Sequence, residues 1–356
     1  MILKEIKYSP FSYKLKNPFQ TSSGIISERK GFFVSVHDEL GNDSIGECSP
    51  LPRFSYESYI EVEKFLSNEL KQLLVNEIES DPGKIKQTVA QFTKLQSVRF
   101  ALEQAMLGLV MRRDKNFSKN NFYASKKTIS VNAVIGFDEP ENILAKIEEK
   151  YNAGYRTFKI KVGRENFSGD FELVRLVREK FSNRITIRLD ANGKWDIDSA
   201  VENLAKLSES DIEYIEEPCR NLACLMKLAE HSRIPIAVDE SLKTYENVEE
   251  VLKTPAIKFF VVKPMILGGI INAAQLIKEA EAYGKKIIIS SAFETPIGKS
   301  ALVFLASLAS HNHAHGLDTA DMFFNPPITD PYPVQNSHIV FDSENFPPHF
   351  DAGHLS

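Results

Sequence analysis

Ile185-Thr-Ile-Arg-Leu-Asp190 is a short, largely apolar run that ends in a carboxylate, and Ile212-Glu-Tyr-Ile-Glu216 repeats this design further along the chain. Ile234-Pro-Ile-Ala-Val-Asp239 repeats it once more. Amphipathic stretches with helical spacing separate the three runs, at residues 197–207 and 222–231. Such alternation of short strands and helices indicates parallel strands that are joined by crossover helices.

The same alternation extends outward in both directions and gives eight candidate strands. They lie at residues 128–135, 157–162, 185–190, 212–216, 234–239, 258–263, 286–290 and, weakly, 316–319. Eight such strands favour a closed barrel over an open sheet, which usually begins with a glycine-rich phosphate loop that this sequence lacks. After the last strand, the proline-rich residues 325–333 cannot continue as a helix. We therefore predict an α/β protein with a modified (β/α)7β TIM-type barrel that lacks its closing helix.

The first part of the chain has a different pattern. Residues 32–48 resemble a hairpin around a central turn, and residues 59–109 contain apolar positions at helical spacing. These features predict a small α+β capping domain at residues 1–95, followed by the barrel at residues 96–324. We expect residues 325–356 to form a tail that packs back on the capping domain.

The composition is that of an ordinary globular protein. The chain has 356 residues, 43% of them hydrophobic and 26% charged, and a net charge of -5. It lacks the basic excess that is typical of nucleic-acid-binding proteins. It also lacks an apolar segment long enough for a signal peptide or a membrane span. We therefore expect a cytoplasmic protein with neither nucleic-acid nor membrane partners, and the sequence leaves open whether it forms a homo-oligomer.

The three cysteines, Cys48, Cys219 and Cys224, are too few and too irregularly spaced for a disulfide framework or a cysteine-based zinc site. This usage favours a reducing compartment. No histidine stands at a spacing that would make Cys219 a nucleophile, so we expect Cys219 to be a small buried residue.

Charged residues end strand after strand on the side of a barrel where active sites form. Asp190, Glu216 and Asp239 would repel one another unless a cation lay between them. Because all three are hard oxygen donors, they favour Mg²⁺ or a similar ion such as Mn²⁺. Lys161 and Lys263 come from the two flanking strands, where a lysine with a lowered pKa can transfer protons. Any one of these residues alone is better explained by an ion pair at the barrel rim, but the combined pattern favours a site.

Two further features have simpler explanations. His311-Asn-His313-Ala-His315 precedes the last candidate strand, and we expect a solvated loop there rather than a metal site. Trp195, the only tryptophan, is expected to serve in packing.

Several segments carry a family resemblance. They are Lys159-Ile-Lys161-Val-Gly163, Leu189-Asp-Ala-Asn192 with Trp195, Ile215-Glu-Glu-Pro218, Val238-Asp-Glu-Ser241 and Val262-Lys-Pro264. With these segments in order and at the expected spacing, the chain resembles the enolase superfamily, in its muconate-lactonizing subgroup. Within that subgroup it most resembles the o-succinylbenzoate synthase family, through residues 49–57, 216–219, 290–294 and 316–319.

The resemblance implies roles for the charged residues. Asp190, Glu216 and Asp239 would bind Mg²⁺, and Lys161 would be the general base or acid. Lys263 would stabilise the anion from the opposite face. Lys159 would help to polarise the carboxylate of a small-molecule substrate.

The resemblance also implies how the substrate is enclosed. Two cap loops, near residues 19–24 and 48–56 and including Phe19 and Phe54, would close over the barrel mouth. Ser290 and Gly316 would line the succinyl side of the substrate.

The implied reaction is the Mg-dependent syn dehydration of 2-succinyl-6-hydroxy-2,4-cyclohexadiene-1-carboxylate to o-succinylbenzoate through an enediolate, a lyase step of menaquinone biosynthesis. Epimerisation of dipeptides or racemisation of N-acylamino acids through the same intermediate is the alternative. Dipeptide epimerases usually carry an Asp-x-Asp pair at the end of the barrel, whereas this chain has Asp318-Thr-Ala-Asp321. A barrel that has lost catalysis is disfavoured because both lysines and all three acids are present.

Overall fold

The structure is a computed structural model that describes residues 1–21, 24–75, 77–122, 127–242, 245–342 and residue 347. Two predictions extend beyond these residues. Part of the first cap loop, residues 22–23, and most of the final segment from residue 343 lie outside the described residues.

The N-terminal part of the chain is built on a three-stranded antiparallel sheet. Its elements are β1 (Leu3–Thr21), β2 (Gly24–Asp38), β3 (Asp43–Cys48), α1 (Tyr59–Glu69), α2 (Pro82–Phe92), α3 (Gln96–Arg113) and α4 (Phe117–Asn121). Phe32, Val34 and Val36 alternate along β2 and are buried in the main hydrophobic core that the helices share. Ser58 and Glu61 form a capping box that starts α1.

Helix α3 lies directly against β3. A Cβ atom at Gly46 would stand 1.9 Å from the carbonyl oxygen of Ala101, so this close approach requires glycine. Gln104 on the same helix accepts a hydrogen bond from the backbone nitrogen of Glu47 and donates one to the carbonyl of Ile297 in the barrel. Because α3 contacts both parts of the molecule, a domain boundary at residues 95 and 96 stays a proposal.

The following elements form the barrel and its outer layer. They are β4 (Thr128–Ser130), β5 (Ala133–Ile135), α5 (Pro140–Asn152), β6 (Thr157–Lys161), α6 (Phe167–Phe181), β7 (Thr186–Asp190), α7 (Ile197–Leu207), β8 (Ile212–Glu216), α8 (Leu222–His231), β9 (Ile236–Val238), α9 (Tyr245–Lys253), β10 (Phe259–Val262), α10 (Pro264–Leu267), α11 (Ile270–Ala282), β11 (Lys286–Ile289), α12 (Pro296–Leu308) and β12 (His338–Val340). Strands β5 to β11 form one parallel sheet in chain order.

An eighth, very short strand closes the barrel. The backbone nitrogen of Asn132 donates to the carbonyl of His315, and that of Gly316 donates to the carbonyl of Ile289, each at 2.9 Å. Parallel bridges at His315 and Gly316 therefore connect the two edges of the sheet. In residues 317–342 no barrel helix follows, which confirms the predicted (β/α)7β architecture.

The structure divides the predicted first strand, residues 128–135, into two. β5 belongs to the barrel, whereas β4 pairs antiparallel with β12 from the tail. The tail contacts the N-terminal sheet as well, because Ile328 packs against a cluster that contains Phe11 and Phe33. The described tail thus touches both parts of the molecule, and its assignment to the capping domain stays a proposal.

The structure corrects the expectation for Cys219. This residue is buried as predicted, but it forms a disulfide with Cys224 across the turn that leads into α8. Cys48 is free and buried. Because structural disulfides are typical of oxidising compartments, these cysteines do not support the expected reducing compartment. Among the described residues, no helix is both long and apolar enough to cross a lipid bilayer.

Candidate active site

Charged side chains at the carboxyl ends of neighbouring strands stand at one level of the barrel. In the sheet register Lys161 pairs with Asp190, and Asp190 pairs with Glu216. Asp239 directly follows β9 and Lys263 directly follows β10. Five consecutive strands therefore bring one charged residue each to the same mouth.

Asp190 is held by two ammonium groups. Its Oδ2 accepts hydrogen bonds from Nζ of Lys161 at 2.8 Å and contacts Nζ of Lys159 at 2.9 Å. Burial raises the pKa of Asp190, but the two lysines outweigh it and hold this pKa below its usual value. Asp190 is therefore ionised at neutral pH.

Glu216 is fully buried between its neighbours. Its Oε1 accepts a hydrogen bond from Nζ of Lys159 at 2.7 Å, whereas its Oε2 has no hydrogen-bond partner. Burial and the adjacent Asp190 raise the pKa of Glu216 well above its usual value. An unpartnered carboxylate oxygen in a buried site is costly, and it is a ready ligand for a cation.

Asp239 completes the group of three acids. It forms an ion pair with Lys263. Burial raises its pKa, but Lys263 and Lys159 reverse this and leave the pKa lowered. Lys159 in turn links Glu216 to Asp190.

For Lys263 the expectation of a lowered pKa concerned a lysine beside cations and stays a prediction, because the described neighbours of its ammonium group are mainly carboxylates. Burial alone would lower the pKa of this ammonium group, but Asp239, Glu240 and Glu216 reverse the effect and leave it raised. The pKa of Lys159 is raised well above its usual value, because Asp190 and Glu216 likewise outweigh burial. With carboxylates as their neighbours, both lysines carry a proton at neutral pH.

The acids fit a hard divalent ion by their chemistry rather than by a preformed cage. Within the described ranges, no group of three His, Cys, Asp or Glu side chains is already spaced to hold a metal. The ammonium groups of Lys159, Lys161 and Lys263 hold the carboxylates instead. The all-oxygen donor set and the unpartnered Oε2 of Glu216 are nevertheless what such an ion requires.

All ten residues proposed from the sequence line one cleft at the barrel mouth. They are Lys159, Lys161, Lys263, Asp190, Glu216, Asp239, Ser290, Gly316, Phe19 and Phe54. Leu51, Phe293 and Met322 add apolar surface to the same cleft. Their individual roles stay predictions, but the cleft offers charged groups on one side and aromatic groups on another.

Asn192 is a polar residue that sequence reasoning did not assign to the site. Its Oδ1 accepts a hydrogen bond from Nζ of Lys161, and its Nδ2 donates to Oε1 of Glu240 at 3.0 Å. Both residues line the cleft. Asn192 stands within a segment that carried the resemblance, so its position in the sequence was a usable signal.

Glu217 holds the loop that carries Asp239. Its Oε1 accepts hydrogen bonds from the backbone nitrogens of Asp239 and Ser241, each at 2.8 Å, and its Oε2 accepts one from Oγ of Ser241. Burial and nearby Glu240 raise the pKa of Glu217 to about 8. Glu217 thus fixes the position of a proposed metal ligand through the backbone.

Asp318 and Asp321, the two aspartates at the end of the barrel, bind side chains of this chain. Oδ2 of Asp318 accepts hydrogen bonds from the hydroxyl of Tyr155 at 2.6 Å and from Nζ of Lys150 at 3.3 Å. Asp321 is 93% exposed and pairs with Lys16 at 2.6 Å. Asp318 touches the cleft, but its carboxylate already has a hydroxyl and an ammonium group as partners.

The histidine tract does not form the expected solvated loop. His311 and His315 are buried, and the backbone nitrogen of Ile289 donates to Nδ1 of His315. His313 pairs with Glu213 at 2.7 Å. The prediction failed because the tract enters the short strand that closes the barrel. The packing role of Trp195 is confirmed, since it is buried edge-on against Phe167.

The fold and the strand-end charges define an enolase-type α/β barrel enzyme. The family model described as Enolase C-terminal domain-like matches residues 142–344, and the chain belongs to this family, in the enolase superfamily.

Relatives with different activities match nearly the whole chain. A D-Ala-D/L-Ala epimerase of Cytophaga hutchinsonii is 28% identical over 349 residues, which cover 96% of this chain and 93% of the relative. An o-succinylbenzoate synthase of Desulfotalea psychrophila is also 28% identical, over 90% of this chain and 95% of the relative. The crystal structure of MenC from Desulfotalea psychrophila has a TM-score of 0.82 at 25% identity and covers 96% of this chain and 100% of that chain.

Proposed function

We propose that this protein is a divalent-metal-dependent lyase that dehydrates 2-succinyl-6-hydroxy-2,4-cyclohexadiene-1-carboxylate to o-succinylbenzoate for menaquinone biosynthesis. The observation that carries this choice of reaction is the engagement of Asp318 by Tyr155 and Lys150. Dipeptide epimerases usually carry carboxylates here that hold the amino group of the substrate. In this chain Asp318 is occupied and Asp321 is turned to solvent.

Asp190, Glu216 and Asp239 would hold the ion, with Mg²⁺ preferred and Mn²⁺ as an alternative. A bound ion supplies fixed positive charge opposite the carboxylate oxygens of the substrate, where negative charge develops as the neighbouring proton leaves. The unpartnered Oε2 of Glu216 and the places of the three acids at the ends of neighbouring strands support this ligand set.

In this proposal Lys161 is the residue that transfers the proton. Asp190 and Asn192 fix the position of its Nζ at the end of β6. In its neutral form Lys161 removes the proton next to the substrate carboxylate. In a syn elimination the same amine, now an ammonium group, protonates the hydroxyl that departs from the β carbon on that face, so that water leaves and the proton count balances.

Lys159 and Lys263 supply charge without transferring protons in this reaction. Lys159 lies between Asp190 and Glu216 and would bind the substrate carboxylate. Lys263 lies on the far side of the three acid-bearing strands, next to Asp239, and would stabilise the developing anion from the opposite face.

The walls of the cleft suit a cyclic substrate with a second polar arm. Phe19, Phe54 and Phe293 provide apolar surface for a six-membered ring. Ser290 and Gly316 face each other across the last two strands, and a Cβ atom at Gly316 would stand 2.8 Å from Oγ of Ser290. The glycine therefore leaves room beside the Ser290 hydroxyl for the succinyl arm.

The alternative is a dipeptide epimerase or an N-acylamino acid racemase. One observation favours it, namely that Lys161 and Lys263 stand on opposite sides of the carboxylates, where they could serve as an acid and base pair. The epimerase name of the Cytophaga hutchinsonii relative is compatible with this alternative.

One assay separates the candidates. The purified protein is tested for formation of o-succinylbenzoate with Mg²⁺, and for incorporation of solvent deuterium at the α carbon in panels of dipeptides and N-acylamino acids. We expect metal-dependent dehydration that a chelator abolishes and added Mg²⁺ restores. Deuterium incorporation without dehydration would instead establish the alternative.

A further inference from the structure

A second cluster of buried polar groups lies where the N-terminal sheet meets the barrel. Arg29 on β2 is 1% exposed. Its guanidinium group donates hydrogen bonds to three backbone carbonyls, those of Ser49 at 2.5 Å, Pro50 at 3.1 Å and Phe293 at 3.2 Å. Ser49 and Pro50 begin the cap loop after β3, whereas Phe293 belongs to the loop after β11. One side chain thus joins a cap loop to a barrel loop.

Glu47 on β3 joins the same two regions through a different set of contacts. Its Oε2 accepts hydrogen bonds from the backbone nitrogens of Thr295 at 3.0 Å and Gly298 at 2.9 Å, where α12 begins. Its Oε1 accepts one from Oγ of Ser49 at 2.7 Å. Arg29 and Glu47 therefore both hold the second half of the loop after β11.

Glu294 connects this cluster to the cleft. Its Oε2 accepts hydrogen bonds from Oγ of Ser291 at 2.5 Å and from the backbone nitrogen of Ala292 at 2.7 Å. Oγ of Ser291 in turn accepts a hydrogen bond from Oγ1 of Thr319 at 2.9 Å. Ser291 and Thr319 both line the cleft, so Glu294, which stands between Phe293 and Thr295 in the chain, is hydrogen-bonded to the cleft wall.

Phe293 carries the strain in this arrangement. Its φ is +63°, in the left-handed region that bulky residues rarely occupy, and such a conformation persists only where the surroundings hold it. Arg29 binds its carbonyl, Oγ of Ser291 accepts from its backbone nitrogen, and its ring packs on Phe19 with the centroids 5.1 Å apart. The ring also lines the cleft.

We propose that Arg29 is a positioning residue that holds Phe293 in its strained conformation and so determines how tightly the cleft binds substrate, without affecting proton transfer at Lys161. Arg29 does not line the cleft and acts only through the loop carbonyls that it binds. The proposal uses the proposed function only as its assay.

The test is a double-mutant cycle on the reaction that the wild type catalyses. If the wild type does not form o-succinylbenzoate, only the proposed function is refuted. The double-mutant cycle is then carried out with the dipeptide or N-acylamino acid that the protein does turn over. We expect Arg29→Met to raise KM at least about 10-fold while kcat changes less than about 3-fold. In a Phe293→Ala background the same substitution should raise KM less than about 2-fold, because the side chain through which Arg29 acts is gone.

Lys299→Met is the matched control. Lys299 is also a buried cation near this interface, but its Nζ binds Asp330 and the carbonyl of Tyr332 in the tail. Its replacement should leave KM within about 2-fold of the wild type. Equal increases in KM for Arg29→Met and Lys299→Met, or the same effect of Arg29→Met in both backgrounds, would overturn the proposal.

Arg29→Lys serves if the methionine variant does not fold. It keeps the charge, but its single ammonium group cannot reach all three carbonyls in the fork geometry of arginine. We expect KM to rise about 3-fold with kcat unchanged. An unchanged KM would show that the three-carbonyl contact is unnecessary and would overturn the proposal.

Discussion

The two ends of the barrel both contain buried charges, but they balance them differently. Near the closing strand, Arg188 is 0% exposed, pairs with Glu213 at 2.5 Å and donates to Asn132, while His313 contacts the same glutamate. At the mouth, the three acids and Glu240 face three lysines, and Oε2 of Glu216 has no partner.

This contrast distinguishes a charged cluster that stabilises the fold from a charged site that can bind a ligand. The charges of Arg188 and Glu213 balance each other within the chain, although Nη2 of Arg188 and Nδ2 of Asn132 have no hydrogen-bond partner among the described residues. The mouth is left with an excess of carboxylates and an unpartnered oxygen, which a ligand from outside can satisfy. Active sites of such barrels form at the carboxyl ends of the strands, in agreement with this difference. Substitutions at the two ends should therefore have opposite consequences.

The largest effect is expected for Lys161→Ala at the mouth. It removes the proposed base, so kcat should fall about 10³-fold, while the midpoint of thermal unfolding should fall only modestly, because Lys159 still pairs with Asp190. Steady-state kinetics and calorimetry measure the two quantities. Lys146→Ala, which removes an exposed lysine of α5 that pairs with Asp138, is the control and should leave kcat unchanged. Near wild-type kcat in the Lys161 variant would exclude it as the base.

Arg188→Met should have the reverse effect. It leaves Glu213 without its buried partner, and we expect a loss of about 3 kcal/mol in the free energy of unfolding, with kcat per folded molecule retained. Urea unfolding provides the measurement. The control Arg175→Met, which breaks exposed pairs with Glu172 and Glu179, should cost less than about 1 kcal/mol. Equal losses in the two variants would contradict the buried-pair account.

Low pH should destabilise the cluster of Arg188, Glu213 and His313. Burial alone would raise the pKa of Glu213, but His313 and Arg188 lower this pKa from 4.5 to about 2. A carboxyl group whose folded pKa is lowered stabilises the fold above its unfolded pKa and loses this contribution as the pH falls through the folded pKa. Between pH 6 and pH 3 the wild type should therefore lose about 2 kcal/mol through this group.

Glu213→Gln removes that titration. The difference in unfolding free energy between pH 6 and pH 3 should be smaller in this variant than in the wild type. Glu172→Gln, at an exposed ion pair on α6, should leave the difference nearly unchanged. If the two variants had the same pH dependence, Glu213 would not be the titrating group.

The smallest effect is expected for Ser290→Ala. It removes one hydroxyl from the proposed succinyl side of the cleft, and KM should rise about 3- to 10-fold with little change in kcat. Ser208→Ala, at a half-buried residue after α7 that does not line the cleft, is the control. An unchanged KM in the Ser290 variant would remove this hydroxyl from the substrate contacts.

The sequence predicted what repeats along the chain. Alternating apolar runs and amphipathic stretches were sufficient for the barrel, and the residue at each strand end indicated the mouth, as for Asp190 and Glu216. The missing last helix was predictable because proline cannot continue a helix at residues 325–333.

What the sequence could not predict depends on contacts between distant segments. The burial of His315 follows from its place between two barrel edges, and the strained φ of Phe293 depends on Arg29 from another part of the chain. The raised pKa of Lys263 is set by carboxylates on neighbouring strands. Such effects have no local signature, because each arises only when the whole barrel has formed.

Two segments late in the chain pair with its first barrel segment. The closing strand pairs through His315 with Val131, which lies between β4 and β5, and β12 pairs with β4. The chain must therefore be synthesised past Gly316 before the barrel can close. Until then the edges of β5 and β11 expose unpaired backbone groups, which are sites for aggregation. Translation that stops shortly before residue 315 should thus yield insoluble material rather than a weakened enzyme.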